Sequence, residues 1–413
     1  MINYDLVIIG GGSGGIAAAV SASENGVKSI LLLEKEKFLG GILLQCIHNG
    51  FGLETYKEEL TGPSYVARAE SELEGKNVDI KLNTMVTAIS KDLEVTFSNE
   101  IDGIVTVKSK VIICATGCSE RTRGQIAIPG ERPSGIMTAG IAQKYLNIEG
   151  YLVGKKVFIL GSGDIGLIMA RRMTLEGAKV LGVAEIMPYS SGLNRNIVQC
   201  LNDFDIPLYL SHTVKDIIGT KRVEKIVISE VDERFNYIPG TEKEFEVDTL
   251  LLSVGLVPYN PLLEKIGVKM HEKTRGPIVD ESYQTSIKGI FACGNSLHVH
   301  DLVDFVSKEG KKAGAAVAKY LQNELNDTKQ INTIAGNGIG YVLPSVINTN
   351  NLEEVNLFFR VKNPHKSSKV LVYCGNKLIK EIKKTYMVPS EMENIKIKVA
   401  DFDDDIKLEV IDA

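Results

Sequence analysis

No two cysteines of this 413-residue chain stand in a CxxC pair. The six present, Cys46, Cys114, Cys118, Cys200, Cys293 and Cys374, are scattered, and only Cys114 and Cys118 lie close together. A disulfide framework or a thiolate zinc site is therefore not expected. The six histidines form no HExxH motif and no His/Cys cluster, so no metal is expected. A basic excess is also missing: 47 Lys and Arg stand against 52 Asp and Glu, a formal net charge of -5. That balance argues against a nucleic-acid partner. No apolar run approaches the roughly 18 residues needed to cross a bilayer. The opening MINYD carries no basic stretch ahead of its first apolar run, so no secretory signal is expected and the cytoplasm is the expected compartment.

What the chain has in quantity is glycine, 39 residues, within a composition that is 44% apolar and 24% charged. Such a balance belongs to a globular protein, and the length suggests two or three domains. The glycines are placed in a pattern. Residues 5–34 read as an apolar strand, then Gly10-x-Gly12-x-x-Gly15, an alanine-rich helix, and a second strand ending on Glu34. Residues 157–185 repeat this order with Gly161-x-Gly163-x-x-Gly166 and Glu185, at a constant offset of 151.

One GxGxxG says little. Two, each between strand and helix and each followed by a strand-terminal acid, point to two dinucleotide sites. The first glycine permits the tight turn, the second lets the backbone approach a pyrophosphate, and the third lets helix and strand pack closely. The helix N-terminus then offers unpaired N–H groups to phosphate, and the acid accepts hydrogen bonds from a ribose diol.

Two more apolar strands end in glycine, VIICATG (111–117) and LLLSVGLVP (250–258), and each is expected to close a Rossmann-like layer. A further strand, GIFACGN, runs into a helix whose apolar residues, Leu302 to Tyr320, recur at helical spacing. Asp301 is expected to cap that helix, with Asp304 completing a capping box. Beyond a polar linker at Asn323–Asn332, residues 331–413 alternate with period two, and Gly375-Asn376 reads as a hairpin turn. The expected fold is α/β: two Rossmann-like dinucleotide-binding domains and a small C-terminal all-β sandwich. The expected boundaries are 1–122 with 257–325, 123–256, and 331–413. Standing apart from both glycine motifs, the sandwich is expected to serve docking or assembly.

On these residues the chain resembles the two-dinucleotide flavoprotein reductases of the pyridine nucleotide–disulfide oxidoreductase superfamily. The strings GGILLQCIHNGFGL, ATGCSERTRG, LGSGDIGLIMARRMTLEGA and ACGNSLHVHDLVDFVSKEG look closer still to one subgroup. It comprises the flavoprotein subunits that accompany anaerobic-type glycerol-3-phosphate dehydrogenases, and is similar to subunits of opine oxidase and hydrogen cyanide synthase. The resemblance implies FAD at Gly10, Gly12, Gly15 and Glu34, with Gly41, Thr116, Gly117, Gly294 and Asn295 closing over it. It implies NAD at Gly161, Gly163, Gly166, Glu185 and Gly255. It further implies NADH as reductant and a partner dehydrogenase subunit, in a homo- or hetero-oligomer.

Two departures stand out. The family's redox CxxxxC is reduced to Cys46, with Phe51 in the second position. The late motif carries Asn295 where most relatives have Asp; an amide can still bond a hydroxyl but brings no charge. Cys46 has two readings, a flavin-facing thiol that cycles through a sulfenic acid or a small buried residue against the cofactor. His298 and His300 are candidates to bond the flavin edge, or else satisfied turn residues. Arg121, Arg123, Arg171 and Arg172 are read as solvated. Three functions follow: an electron-relay subunit, a free-standing NADH oxidase or peroxidase using Cys46, or a flavin-binding scaffold.

Overall fold

The computed structural model describes residues 2–325, 329–350, 353–399 and 402–412. Residues 326–328 of the expected linker lie outside the described residues. The chain divides into two compact units, residues 1–118 with 258–413, and residues 119–257.

The first unit begins with β1 (Asn3–Ile9), α1 (Ser13–Glu24) and β2 (Ile30–Leu33). After α2 (Gly62–Ser71) come β3 (Val78–Lys81) and the long β4 (Gly103–Cys114). Strand β1 lies at the centre, parallel to β2 with Leu6 opposite Ile30, and parallel to β4 with Leu6 opposite Val111. Its unbroken apolar run divides by alternation. Leu6 and Ile8 pack with Ile16 and Val317 on one face, while Val7 and Ile9 pack with Phe97 and Leu263 on the other. A strand covered on both faces needs this continuous hydrophobicity.

The second unit holds β5 (Ile136–Thr138), β6 (Lys156–Leu160), α3 (Asp164–Leu175), β7 (Lys179–Glu185), β8 (Leu208–Leu210) and β9 (Thr249–Leu252). They form a parallel sheet in the order β5-β9-β6-β7-β8. Here β6 takes the place of β1 and β9 that of β4, as the sequence leads one to expect. An antiparallel three-stranded sheet, beginning at His212–Ile218, completes this unit.

The chain then returns to the first unit through β10 (Ile290–Ala292), parallel to β4, and α4 (Val303–Leu321). Helix α4 crosses α1 in backbone contact: a Cβ on Gly310 would lie 2.2 Å from the Gly14 carbonyl oxygen. The expected capping box is not formed. Leu302 is the N-cap, and no side chain caps the helix. Asp301 and Asp304 are engaged elsewhere, as described below.

The C-terminal strands are β11 (Gln330–Ala335), β12 (Ile339–Leu343), β13 (Val346–Asn348), β14 (Glu354–Val361), β15 (His365–Cys374), β16 (Lys377–Met387), β17 (Glu393–Lys398) and β18 (Ile406–Asp412). One sheet runs β13-β11-β18-β15-β16 and the other β12-β14-β17, and they share one apolar core that joins Leu357 and Ile395 to Val372 and Leu408. The hairpin turn falls where expected, with Cys374 opposite Lys377. The sandwich does not stand apart. Leu343 of β12 belongs to the same apolar cluster as Val7 and Ile9, and the Asn348 amide reaches Asp280 at 3.1 Å.

Candidate functional site

The two glycine turns match in detail. Gly10 (φ 108°) and Gly161 (φ 96°) both need the left-handed region. A Cβ on either would lie 2.3 Å from the Ala115 carbonyl oxygen or 2.1 Å from that of Ser253. Those carbonyls belong to the glycine-ending segments after β4 and β9, so each turn is wedged against the strand next to it. The buried acids repeat as well. Glu34 accepts from the Gly11 N–H at 2.7 Å and the Glu36 N–H at 2.8 Å. Glu185 accepts from the Ser162 N–H at 3.0 Å and the Met187 N–H at 3.0 Å. Donors and acceptors both keep the offset of 151.

The surroundings then diverge. In the first turn nothing among the described residues lies within 4 Å of a Cβ placed on Gly12 or on Gly117, and among them a Cβ on Gly41 meets only the Gly12 Cα. Helix α1 starts there with no side-chain cap and no acid in its first turn. In the second turn the Ser253 hydroxyl lies 3.3 Å from such a Cβ on Gly163 and already accepts from the Gly166 N–H at 3.0 Å. Glu185 also takes the Ser162 hydroxyl at 2.6 Å and the Ser191 hydroxyl at 3.3 Å, all on one oxygen. Among the described residues its other oxygen holds only the Met187 N–H, which leaves acceptor capacity for a ribose hydroxyl. The carboxylate of Asp164, in the first turn of α3, is occupied by the Leu193 N–H and the Asn196 amide.

In the first unit the segment after β10 lies against α1, with the Gly294 Cα 3.8 Å from a Cβ on Gly14. The side-chain oxygen of Asn295 accepts from the His300 N–H at 3.0 Å, and its side-chain nitrogen lies 3.7 Å from the Cys118 sulfur. Thr116 donates to the Tyr259 carbonyl at 2.7 Å. His298 and His300 turn towards a buried acid that sequence reading missed, Glu309 of α4. His298 Nε2 lies 3.0 Å from one of its oxygens and His300 Nε2 3.3 Å from the other. The Gly294 N–H donates to the same carboxylate at 2.5 Å. Burial works to raise the Glu309 pKa, but the two imidazoles and their hydrogen bonds outweigh it and hold the carboxyl well below its ordinary range. Burial, with the neighbouring His300, holds the His298 pKa below its ordinary value. These ligand-type atoms lie within 4.8 Å of one another, a cluster that the spacing of the histidines does not announce. Asp304 accepts from the Gly52 and Thr55 N–H groups, at 3.2 and 2.8 Å.

Cys46 follows a short turn of 3-10 helix (Gly41–Gln45), and its sulfur lies 3.4 Å from the Ile42 carbonyl oxygen. Burial pushes the thiol up to about 12. His48 is 2.9 Å from the Asn49 carbonyl oxygen and packs near Phe51. Arg123 is not a solvated side chain: it donates to the carbonyls of Ile128, Pro129, Gly130 and Glu131 and organises that loop.

The family model described as pyridine nucleotide-disulphide oxidoreductase matches residues 4–342. The chain belongs to that family. A subunit of the opine oxidase of Agrobacterium tumefaciens is 25% identical over 315 residues, 71% of this chain and 61% of that protein. The NADH dehydrogenase of Bacillus subtilis is 26% identical, over 71% of this chain and 53% of its own length. The chain thus spans a little over half of these relatives. Thioredoxin reductase of T. acidophilum superimposes with a TM-score of 0.63 at 25% identity, covering 78% of this chain and 99% of that one. No helix among the described residues is long and apolar enough to cross a membrane.

Members of this oxidoreductase family typically bind FAD and a pyridine nucleotide, and the residues here fit both. The open face before Gly12 and the uncapped start of α1 suit the pyrophosphate of one dinucleotide. Glu185, with one oxygen lightly used, suits a nicotinamide dinucleotide's ribose. The remaining divergence from the family's dithiol members is Cys46, which has Phe51 where their second cysteine would stand.

Proposed function

We propose that this family member is an NADH-linked FAD oxidoreductase that works as one chain of a larger assembly and passes electrons between NAD(H) and a partner dehydrogenase or acceptor. A partner acting on glycerol 3-phosphate is the first candidate. The observation that carries the reading is the repeated turn with its repeated acid, which supports two dinucleotide sites in one chain, the first of them open at Gly12. The role within an assembly is supported by the similarity to a protein that is itself called a subunit. The glycerol 3-phosphate link is supported by the resemblance of the motif strings.

FAD bound in the first turn would accept or release an electron pair in exchange with the nicotinamide. The chain's own residues bind and orient. Gly10, Gly12 and Gly15 bring backbone N–H groups to a pyrophosphate, and Glu34 fixes the ribose end. In the second unit Glu185 takes a ribose hydroxyl and repels a 2′-phosphate. The α4 N-terminus adds a positive dipole end beside the late turn. Positioning of this kind is the main catalytic contribution a protein makes to hydride transfer. With its pKa near 12, the Cys46 thiol stays protonated at neutral pH, which makes it a poor nucleophile and favours relay over a peroxidase cycle.

The test combines composition with turnover. Native chain should be yellow with about one FAD per chain, reduce dyes with NADH, and co-purify with other chains. Peroxide turnover that depends on Cys46 would replace the relay by the peroxidase. FAD without NADH turnover would leave a scaffold. A colourless protein that cannot be reconstituted would sink the reading.

A further inference from the structure

Segment 294–301 is gripped from two directions. From one side a buried carboxylate of α4, Glu309, takes the Gly294 N–H at 2.5 Å and the rings of His298 and His300 at 3.0 and 3.3 Å. From the other the C-terminal sandwich reaches in. Strand β14 buries Leu357 and Phe359 in the sandwich core, so its alternate residues Phe358 and Arg360 face outward. That outward face is covered: the Phe358 ring lies 6.2 Å from that of His298. The Arg360 guanidinium donates to the Val299 carbonyl at 3.1 Å and pairs with Asp301. The second Asp301 oxygen accepts from the Met392 N–H at 2.7 Å. This charge pair is only 15% and 20% exposed, where an ion pair holds a defined geometry or fails.

The gripped segment carries Gly294 and Asn295 and abuts the first turn of α1. We infer that Arg360 and Glu309 are positioning residues for the flavin, and that the C-terminal sandwich is a built-in clamp on the late cofactor turn. This rests on FAD occupying the first glycine turn. The periodicity of the tail and its separation from both glycine motifs suggested docking or assembly; the Arg360–Asp301 pair also ties it to the late-turn segment. A turn fixed at both ends holds its N–H groups and amide in one arrangement before the cofactor arrives, so less ordering is left to oppose binding.

The test uses full-length chain, freed of flavin and titrated with FAD. Arg360→Met keeps the apolar stem and removes the donors. It should raise the FAD dissociation constant at least about tenfold, and it should shift the two-electron midpoint potential. A tenfold difference in how far the oxidised and reduced forms are weakened corresponds to about 30 mV. Arg360→Lys should restore part of both losses, and Lys369→Met, elsewhere on the same sandwich, should change neither. A folded Arg360→Met chain with wild-type affinity and potential overturns the clamp. If Arg360→Met does not fold, Glu309→Gln, which keeps an acceptor for Gly294, takes its place, and unchanged affinity and potential there overturn it equally. Wild-type chain that takes up no FAD overturns both this inference and the proposed function; FAD binding that no variant alters overturns the clamp alone.

Discussion

The two glycine turns share a sequence grammar, a backbone conformation and a hydrogen-bonded acid, yet they are differently furnished. Gly11 of the first becomes Ser162 in the second, and that hydroxyl, with Ser191, fills one oxygen of Glu185. Ser253 supplies a hydroxyl that accepts from the Gly166 N–H at the start of α3. The frame repeats, and Ser162, Ser191 and Ser253 line the second turn with hydroxyls while Gly12 and Gly117 leave the first bare. The bare turn suits a cofactor held permanently against backbone. The lined one suits a ligand that arrives, exchanges and leaves.

The sharpest way to break this comparison is to block each turn in turn. Gly10→Val should cost more than about a hundredfold in FAD affinity, some 2.7 kcal/mol, because its Cβ would meet the Ala115 carbonyl in a backbone region closed to valine. Gly161→Val should leave the protein yellow and abolish saturation by NADH. Flavin content and NADH titration of the two variants check this; both losing flavin, or neither losing NADH, would end the division of labour.

Cofactor preference comes next. A 2′-phosphate about 4 Å from Glu185 meets a like charge worth at most roughly 4 kcal/mol at an effective dielectric near 20. A third of that is about tenfold. NADH should be preferred over NADPH by at least about tenfold in kcat/KM, and Glu185→Gln should narrow the ratio. Steady-state kinetics with both cofactors decide it, and equal use by the wild type would remove Glu185 as ribose ligand.

A smaller effect is expected at Cys46. With the thiol protonated, Cys46→Ser should change dye-linked NADH oxidation by less than about threefold; a loss beyond about a hundredfold, or 2.7 kcal/mol of barrier, would place it in the chemistry.

The smallest effect concerns acid. The pKa values of His298 and Glu309 are both held below their ordinary values. On acidification the unfolded chain therefore binds protons that the folded one does not. Stability should begin to fall as pH drops through about 6.5, first through His298, and further below about 4.3 through Glu309. Between pH 7.5 and 5 the melting temperature should drop by roughly 2–4 °C, and His298→Gln should flatten that slope in calorimetry.

Much of the frame is legible in the sequence because it is local. The turn glycines, the apolar strands and the acids at strand ends each follow from backbone sterics or burial within some thirty residues. Thr61 capping α2 through the Ser64 N–H is legible for the same reason. The capping box at Asp301 and Asp304 failed although its local pattern was right. Both carboxylates found partners distant in sequence, Arg360 and Met392 for one, Gly52 and Thr55 for the other. Glu309 left no signal, since an acid within an amphipathic helix reads as solvated until something covers it. Phe358 is the nearest thing to a warning about Arg360, a large apolar residue on the outward face of an alternating strand.

By itself, then, the sequence determined the two glycine turns, the parallel sheets around them and the alternating strands of the tail. Each of these is dictated by short-range geometry: a glycine where φ must be positive, period two where one face is buried, continuous hydrophobicity where both are. Only the tertiary structure decided what the polar residues do. Hydrogen bonds and ion pairs are short in space and indifferent to separation in sequence. Joining Glu309 to Gly294, or Arg360 to Asp301, required the helix crossing at Gly310 and the seating of the sandwich, and no local rule encodes either.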